Sequence, residues 1–276
     1  MSKTEATKHL DLSATRTAPA HSAKKEWAER TQRATAELQE LQRRFYADGK
    51  NALLIIFQAM DGAGKDGAIQ HVMSGVNPQG CSVVSFKQPS PNELAHDYLW
   101  RVYSHLPARG MIGIFNRSYY EDVLVVRVHP ELLAKQRLQP SDALWAQRFK
   151  QIRHFEEHLY ENGTHLLKFF LHLSKKEQKR RFLSRLEHAE KNWKFSAADL
   201  AERDFWEAYQ EAYQEALRHT PTRHAPWQVI PADDKAYSRM LIAETIVRKL
   251  QELHPRYPAP SPEQKQALAA AKQKLL

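Results

Sequence analysis

The residues that follow the first strongly apolar segment could bind phosphate. The run "ALLIIF" at 52–57 leads into "QAMDGAGKDG", in which Gly62 and Gly64 precede Lys65. Between a strand and a helix, loop N–H groups and the helix N-terminus attract phosphate, and a lysine neutralises its outer oxygens. The pattern therefore predicts a phosphate-binding loop, and an ordinary strand-to-helix turn is the alternative.

The loop departs at both ends from the usual pattern G-x-x-x-x-G-K-[ST]. Ala59 stands at the first glycine position, where alanine is tolerated if the turn needs no positive φ, and Asp66 replaces the hydroxyl residue. A carboxylate beside phosphate is repulsive unless a cation lies between them, and Mg²⁺ accepts carboxylates together with phosphate oxygens. We therefore expect Asp61 to help hold a metal–phosphate cluster. For Asp66, attraction to the helix dipole is an equally good explanation.

A second polar cluster follows the apolar run at 111–115. The carboxyl ends of strands form the usual ligand edge of an open α/β sheet, so these side chains are candidates for the same site. Arginine forks can clamp phosphate oxygens, and the acids could carry a metal or orient an acceptor phosphate. A surface helix with ordinary ion pairs is the alternative. The polar members are Asn116, Arg117, Glu121, Asp122 and Arg127.

A basic stretch follows the apolar run at 166–171. On a helix, Arg181 and Arg185 would share one face, and "HAEKNWKFS" continues as a predicted loop. A basic flap over a phosphate site would exclude water during phosphoryl transfer, whereas a solvated charged face is the alternative. The candidates are Arg180, Arg181, Arg185 and Lys194.

These clusters must be positioned by elements that alternate along the chain. Apolar runs predict strands at 52–57, 81–86, 111–115, 166–171 and 227–231. Helical spacing is predicted at 27–45, 92–105, 141–162, 174–189, 199–219 and 237–253. The alternation predicts βαβ units, and hence a parallel sheet that is covered by helices on both faces.

Composition limits the classes of protein that the chain can belong to. A length of 276 residues suits one large α/β domain or two small ones. A net charge of +9 indicates polyanionic partners, and a basic surface that serves only solubility is the alternative. The single cysteine excludes an intramolecular disulfide, and no signal-peptide core or membrane-length apolar run is found. We expect a cytoplasmic protein. The expected organisation is a flexible arm at 1–24, one domain at 25–257 with a lid at about 175–200, and a tail at 258–276.

Together the motifs resemble the polyphosphate kinase 2 family, and most closely its class III branch. The resemblance covers about 27–257 and rests on "DGAGKDG", "FNRSYYEDVLVVRVH" and "KEQKRRFLSRLEHAEKNWKFSAADLAERDFWEAY". It implies a P-loop kinase-like, three-layer α/β/α sandwich with a mainly parallel five-stranded sheet and a helical lid. It also implies phosphoryl transfer from inorganic polyphosphate to the adenine nucleotides AMP or ADP, with Mg²⁺ or Mn²⁺, in a homo-oligomer (dimer or tetramer).

The resemblance also implies roles for residues by motif position. Asp61 and Asp122 would be the acids that act on metal and phosphates, Lys65 the loop lysine, and Arg117 and Arg127 phosphate clamps. Glu121 is placed to influence the acceptor. The expected phosphate, polyphosphate or nucleotide contacts are Gly62, Ala63, Gly64, Lys65, Asp66, Asn116, Glu121, Arg127, Arg180, Arg181, Arg185 and Lys194.

Two alternatives come from other functional classes. An ATP-dependent nucleoside monophosphate kinase would share the fold and the chemistry but would need a different donor. A non-enzymatic protein that binds polyanions or nucleic acid would use only the basic face. Against the latter, aromatic residues are not interleaved with the basic run, as stacking on bases would require. A pure polyanion binder also gains nothing from acids in its groove.

Overall fold

The computed structural model describes residues 10–193 and 195–276, in which helices alternate with strands. The strands are β1 (Ala52–Gln58), β2 (Cys81–Ser85), β3 (Ile112–Asn116), β4 (Thr164–His172) and β5 (Trp227–Pro231). The longer helices are α1 (Lys24–Asp48), α2 (Lys65–Val72), α3 (Asp142–Glu161), α4 (Lys175–Glu187), α5 (Trp206–His219), α6 (Lys235–Glu252) and α7 (Pro262–Leu275). Short α-helices occur at Pro91–Leu94, Trp100–Tyr103, Val125–Val128, Ala189–Asn192 and Ala197–Glu202. Short 3-10 helices occur at Pro78–Gly80, Tyr119–Val123, Pro130–Gln136 and Arg203–Phe205.

The strands of the described residues form one parallel sheet in the order β2-β3-β1-β4-β5. The central strand β1 pairs with β3 on one side and with β4 on the other, so that Phe57 lies beside both Asn116 and Phe169. The carboxyl ends of β1 and β3 are therefore adjacent. This register brings the phosphate loop and the polar cluster after β3 to the same edge, and the predicted α/β sandwich is confirmed.

Each face of the sheet carries its own apolar core. Leu54 and Ile56 pack in the cluster that includes residues of α3 and α5. Leu53 and Ile55 point into the opposite cluster, with residues of α1, α2 and α6. Because successive side chains of a strand alternate between faces, β1 must be apolar on both faces to lie between two layers of helices, and it is apolar from Ala52 to Phe57. Its complete burial fixes the position of the loop that follows it.

Two predicted helices are interrupted in the structure. The pattern at 92–105 divides because the Asp97 carboxylate accepts a hydrogen bond from Leu99 N at 2.9 Å, a local turn that competes with a helix. The helix predicted at 199–219 is divided by the 3-10 helix Arg203–Phe205, where the Arg203 side chain donates a hydrogen bond to Lys175 O at 2.9 Å. The second interruption ties the start of α4 to the segment before α5.

The first described residues correct the prediction of a flexible arm. Leu12 is 4% exposed and packs in the core, and its carbonyl oxygen lies 3.1 Å from His172 Nε2. Thr17 Oγ1 donates to the Asp233 carboxylate at 2.8 Å. Residues 10–20 therefore lie as an ordered strap across the ends of β4 and β5, and residues 1–9 lie outside the described part of the chain.

We expect Leu12→Ala to lower the free energy of unfolding by about 2 kcal/mol, since it removes a buried side chain from the core. Leu138→Ala is the matched control, because Leu138 is 39% exposed and should contribute little. Urea unfolding of both variants measures the difference. Equal destabilisation of the two variants would contradict a packed strap.

None of the helices in the described ranges combines the length and the apolar character that crossing a membrane requires.

Candidate active site

The loop between β1 and α2 has the geometry of a phosphate-binding loop. Gly62 and Gly64 adopt φ of 83° and 95°, in the region that favours glycine. A side chain at Gly62 would also meet the Phe182 ring at 3.0 Å. Among the described non-glycine residues, positive φ is found at Arg117, Arg137 and His254, so Ala59 carries no such strain. Alanine is therefore compatible with the first glycine position.

Asp61 lies between two cations in this loop. Its Oδ1 accepts from Arg117 at 2.7 Å and lies 3.9 Å from Lys65 Nζ, which donates to Ala59 O at 2.9 Å. Burial raises the pKa of Asp61, but Lys65 and Arg117 outweigh burial and lower it below the ordinary value. The Asp61 carboxylate is therefore ionised at neutral pH and can bind a cation.

Asp66 has a partner from the neighbouring strand. Its carboxylate accepts from Asn116 Nδ2 at 2.6 Å. Asn116 ends β3, and Asp66 lies in the first turn of α2. The hydrogen bond joins the two sequence clusters that were expected to meet, and both residues border the larger cavity described below.

Arg117 is held in a strained backbone conformation, with φ of 64°. Its N–H donates to Phe57 O at 3.0 Å, and its guanidinium lies 3.8 Å from the Glu121 carboxylate as well as beside Asp61. Strained residues persist where their surroundings fix them, and they concentrate at functional sites. Arg117 thus bridges two acids at the centre of the cluster.

The two acids that follow have different neighbours. Glu121 faces Arg117, whereas Asp122 accepts from Gln136 Nε2 at 2.7 Å and lies 3.7 Å from Arg148. Burial raises the pKa of Glu121, although Arg117 acts against it. Burial also raises the pKa of Asp122, and Arg148 acts against it. Both acids border one cavity with Asp61.

Arg181 is bound by the protein itself in this structure. An arginine side chain has five N–H donors, and all five are directed at protein acceptors. They donate to Glu177 Oε1 and to the carbonyl oxygens of Gly62, Ala63, Ala232 and Asp233, at 2.6–3.1 Å. Arg181 therefore anchors the loop. It also borders the larger cavity, and its expected contact with phosphate stays a prediction that this conformation does not support.

The other basic residues of the predicted lid have separate positions. Arg180 forms a bidentate pair with Glu177, at 2.6 Å for both bonds, and is largely exposed. Arg185 lies 3.2 Å from Asp199 and over the Phe182 ring. Both arginines border the larger cavity. Lys194 lies outside the described residues, so its predicted role remains a prediction.

Arg127 is not brought to this cluster. Its guanidinium lies over the Trp145 ring at 5.9 Å, and the residue borders neither of the two cavities described below. Its expected role as a phosphate clamp stays a prediction that this conformation does not support.

Two adjoining cavities open at this edge of the sheet. The loop cavity, of about 780 Å³, is bordered by residues 61–68 and by cationic side chains. The mixed cavity, of about 430 Å³, is bordered by the acids Glu121 and Asp122 and by apolar and aromatic side chains. Asp61 and Arg117 border both cavities, which places them at the junction.

Several residues of these cavities were missed in the sequence. Lys235 and Arg239 project from the first turns of α6 into the loop cavity, with Lys87 and Lys191 nearby. The sequence did contain a signal for Lys235 and Arg239. They are four residues apart and therefore share one face of α6. This helix follows β5, whose carboxyl end lies at the same edge of the sheet as the phosphate loop. Arg101, Lys135 and Asp199 of the mixed cavity carried no comparable signal.

The donor set at the junction fits a hard divalent cation. The described residues contain no group of three or more His, Cys, Asp or Glu side chains that could hold a metal alone. Mg²⁺ does not need such a cage, because it takes one or two carboxylates and completes its shell with phosphates and water. The ionised Asp61, with Asp122 bordering the same cavity, supplies that kind of ligand.

Comparisons with known proteins agree with this geometry. The family model described as "Polyphosphate kinase 2" matches residues 21–258. The chain is 47% identical, over 95% of its length and 92% of the relative, to an ADP-polyphosphate phosphotransferase from Rhodopseudomonas palustris. It is 48% identical, over 81% of its length and 80% of the relative, to an AMP/ADP-polyphosphate phosphotransferase from Meiothermus ruber.

A solved structure has the same fold. The crystal structure of polyphosphate kinase 2 from Arthrobacter aurescens superposes with a TM-score of 0.88 at 36% identity. The match covers 98% of this chain and 97% of that one. The likeness therefore extends over the whole sandwich and includes the segments that border both cavities.

Proposed function

The chain belongs to the polyphosphate kinase 2 family, and we propose that it transfers a phosphoryl group between inorganic polyphosphate and AMP or ADP. In the synthetic direction, an oxygen of the terminal nucleotide phosphate attacks the terminal phosphorus of polyphosphate. One P–O bond forms, and the bond to the rest of the chain breaks. Polyphosphate becomes one phosphate shorter, and AMP becomes ADP or ADP becomes ATP.

The observation that carries this proposal is the pair of unlike cavities that meet at Asp61 and Arg117. The loop cavity is bordered by cations on several elements and suits a flexible polyanion, which needs charge and not shape. The mixed cavity has the apolar and aromatic walls that a nucleoside requires, with a few polar groups to orient it. We assign polyphosphate to the loop cavity and the nucleotide to the mixed cavity.

The cations at the start of α6 support the first assignment. Burial lowers the pKa of Lys235, and the neighbouring Arg181 and Arg239 lower it further. Like charges that are held together in this way repel one another until an anion binds between them. A phosphate chain along α6 would relieve that repulsion, and the N–H groups of the loop would bind the phosphate at its end.

The chemistry requires positioning and neutralisation of charge more than covalent participation. Lys65 and the loop N–H groups hold the phosphoryl group that is transferred. Arg117 lies where the two substrates would meet and stabilises charge on the phosphate oxygens in the transition state. Because the acceptor is itself a phosphate anion, no side chain has to remove a proton from it.

Three finer points belong to the proposal. Mg²⁺, with Mn²⁺ as a substitute, would be held by Asp61 and Asp122, and when bound it would neutralise charge on the substrate phosphates. A family homo-oligomer, dimeric or tetrameric, is the expected assembly, and the cytoplasm is the expected compartment. We propose that residues 175–200 act as a lid over the loop cavity, since Arg180 and Arg185 border it.

A donor–acceptor experiment tests the function. The protein is incubated with Mg²⁺, polyphosphate and either AMP or ADP, without ATP, and the nucleotides are separated by chromatography. We expect ADP or ATP to form. Phosphorylation of AMP that requires ATP and ignores polyphosphate would instead identify a conventional nucleoside monophosphate kinase.

Salt should weaken the binding of polyphosphate, the donor, more than the binding of AMP, the acceptor. Interactions between exposed charges are screened as ionic strength rises, and a long polyanion makes more of them than a mononucleotide. We expect the Michaelis constant for polyphosphate to rise several-fold between low and moderate salt, with a smaller rise for AMP. A Michaelis constant for polyphosphate that does not depend on salt would contradict binding in a cationic groove.

A further inference from the structure

A buried polar network lies directly beneath the turn that carries Glu121 and Asp122. Glu156 of α3 and Lys168 of β4 are almost completely buried, and Lys168 Nζ lies 2.6 Å from Glu156 Oε2. The hydroxyls of Tyr119 and Tyr120 both donate to Glu156 Oε1, at 2.9 and 2.7 Å. Four side chains from three elements are thus joined in one network, which we call the Glu156 network.

The donors and acceptors of the Glu156 network are matched. A lysine ammonium has three N–H donors. Lys168 directs them to Glu156, to the Tyr120 hydroxyl at 3.0 Å and to the Thr220 carbonyl oxygen at 3.0 Å. A fully connected buried network is rigid, because displacing one member leaves the others without partners in a low dielectric. The two tyrosine rings are therefore held in one orientation.

Stability alone does not explain this arrangement. A buried ion pair must offset the cost of desolvating two charges, and apolar residues of similar volume are often as stable or more stable. Lys168 lies between Leu167 and Phe169 in a central strand, where an apolar side chain would be the ordinary choice. We infer that the ion pair serves to orient the side chains bonded to it. These are Tyr119 and Tyr120, which immediately precede Glu121 and Asp122.

The start of the same turn is fixed from the other side. Ser118 Oγ accepts from Tyr120 N at 3.2 Å and from Gln58 Nε2 at 3.1 Å. Gln58 is the last residue of β1, directly before the phosphate loop. The turn is therefore fastened to β1 at Ser118 and to α3 and β4 at its tyrosines. Ser118, Tyr119, Glu121 and Asp122 of this turn border the mixed cavity.

We propose that Glu156 and Lys168 are positioning residues, which act through Tyr119 and Tyr120 to set Glu121 and Asp122 for phosphoryl transfer. This inference rests on the proposed function. The residues that would bind polyphosphate lie on the loop, α4 and α6, outside the Glu156 network. Loosening the network should therefore lower kcat while the Michaelis constants change little, because a small misplacement of reacting groups costs rate more than binding.

The first test removes only hydroxyl groups. We expect Tyr119→Phe/Tyr120→Phe to lower kcat by about 10- to 100-fold, with both Michaelis constants within about twofold of wild type. Tyr160→Phe is the matched control, because Tyr160 stacks on His224 and borders neither cavity, although it lies only one helical turn after Glu156 in α3; we expect it to keep the wild-type kcat. Wild-type kcat in the double variant, or a fall in kcat that Tyr160→Phe matches, would overturn the proposal.

The second test separates positioning from stability. In Tyr119→Phe/Tyr120→Phe/Glu156→Leu/Lys168→Met the ion pair and the two hydroxyls that bind it are replaced together by apolar groups, so we expect unfolding by urea close to that of wild type. We expect kcat nevertheless to fall at least tenfold. A folded quadruple variant with wild-type kcat would overturn the proposal. Absence of transfer in the wild type itself would instead refute the proposed function, and so the two failures are distinguishable.

Discussion

Asp61→Asn is expected to lower kcat by about 100- to 1,000-fold, which corresponds to about 2.7–4 kcal/mol of lost transition-state stabilisation. The substitution keeps the shape of the side chain but removes the charge that lies between Lys65 and Arg117. A divalent cation held at this site would lose an ionised ligand, and Arg117 would keep only a hydrogen bond to an uncharged partner. Steady-state transfer from polyphosphate to AMP measures the loss.

The fold should survive Asp61→Asn, because the side chain is part-exposed and asparagine can still accept a hydrogen bond from Arg117. Asp142→Asn, in the first turn of α3, is the control for the same chemical change away from the cavities, and we expect wild-type activity for it. Mg²⁺ titration adds a second readout, since Asp61→Asn should need more Mg²⁺ for half-maximal rate. Near-wild-type turnover at the same Mg²⁺ requirement would contradict the assignment of Asp61.

Arg181→Lys is expected to destabilise the protein and to reduce transfer, although it conserves charge. Lysine offers three donors on one atom and cannot reproduce a planar fork that reaches two loops at once. Several buried carbonyl oxygens would lose their partners, at about 1–3 kcal/mol for each group left unsatisfied. We expect the free energy of unfolding to fall by about 2–4 kcal/mol and kcat to fall by about 100-fold, because the loop would no longer be held in place.

Arg180→Lys is a closely matched control for Arg181→Lys. The two arginines are adjacent, and both pair with Glu177. Arg180 is 69% exposed, whereas Arg181 is 6% exposed, and an exposed ion pair contributes about 0–1 kcal/mol. We expect Arg180→Lys to unfold at nearly the wild-type urea concentration. Equal destabilisation by the two substitutions would show that Arg181 does not anchor the loop.

The sandwich and the centre of the site could be predicted from sequence because their signals are local. The apolar run at 52–57, a glycine-containing turn and a lysine mark the phosphate loop within a few residues. Asn116 and Arg117 follow another apolar run. The carboxyl ends of parallel strands lie at one edge of the sheet, and this rule predicts that Asn116 and Arg117 lie near Asp61. In the structure they contact Asp66 and Asp61 directly.

The anchoring role of Arg181, the strap at residues 10–20 and the Glu156 network depend on contacts between distant parts of the chain. The types of the residues involved do not reveal these contacts. Arg180 and Arg181 are adjacent residues of the same type. Arg180 nevertheless faces solvent, whereas Arg181 donates hydrogen bonds to four backbone carbonyl oxygens. The strap at residues 10–20 has a polar sequence without periodicity. One buried side chain, Leu12, and a few hydrogen bonds are enough to hold it, and they leave no pattern in the sequence. Lys168 interrupts an apolar strand, and its partner Glu156 becomes apparent only when α3 packs on β4.

A structure of the protein in complex with Mg²⁺, AMP and a short polyphosphate tests the division of substrates between the two cavities most directly. We predict phosphates along the loop and the start of α6, near Lys235 and Arg239, with the nucleoside in the mixed cavity and Asp61 at the junction. Polyphosphate in the mixed cavity, or a nucleoside seated against α6, would contradict the account.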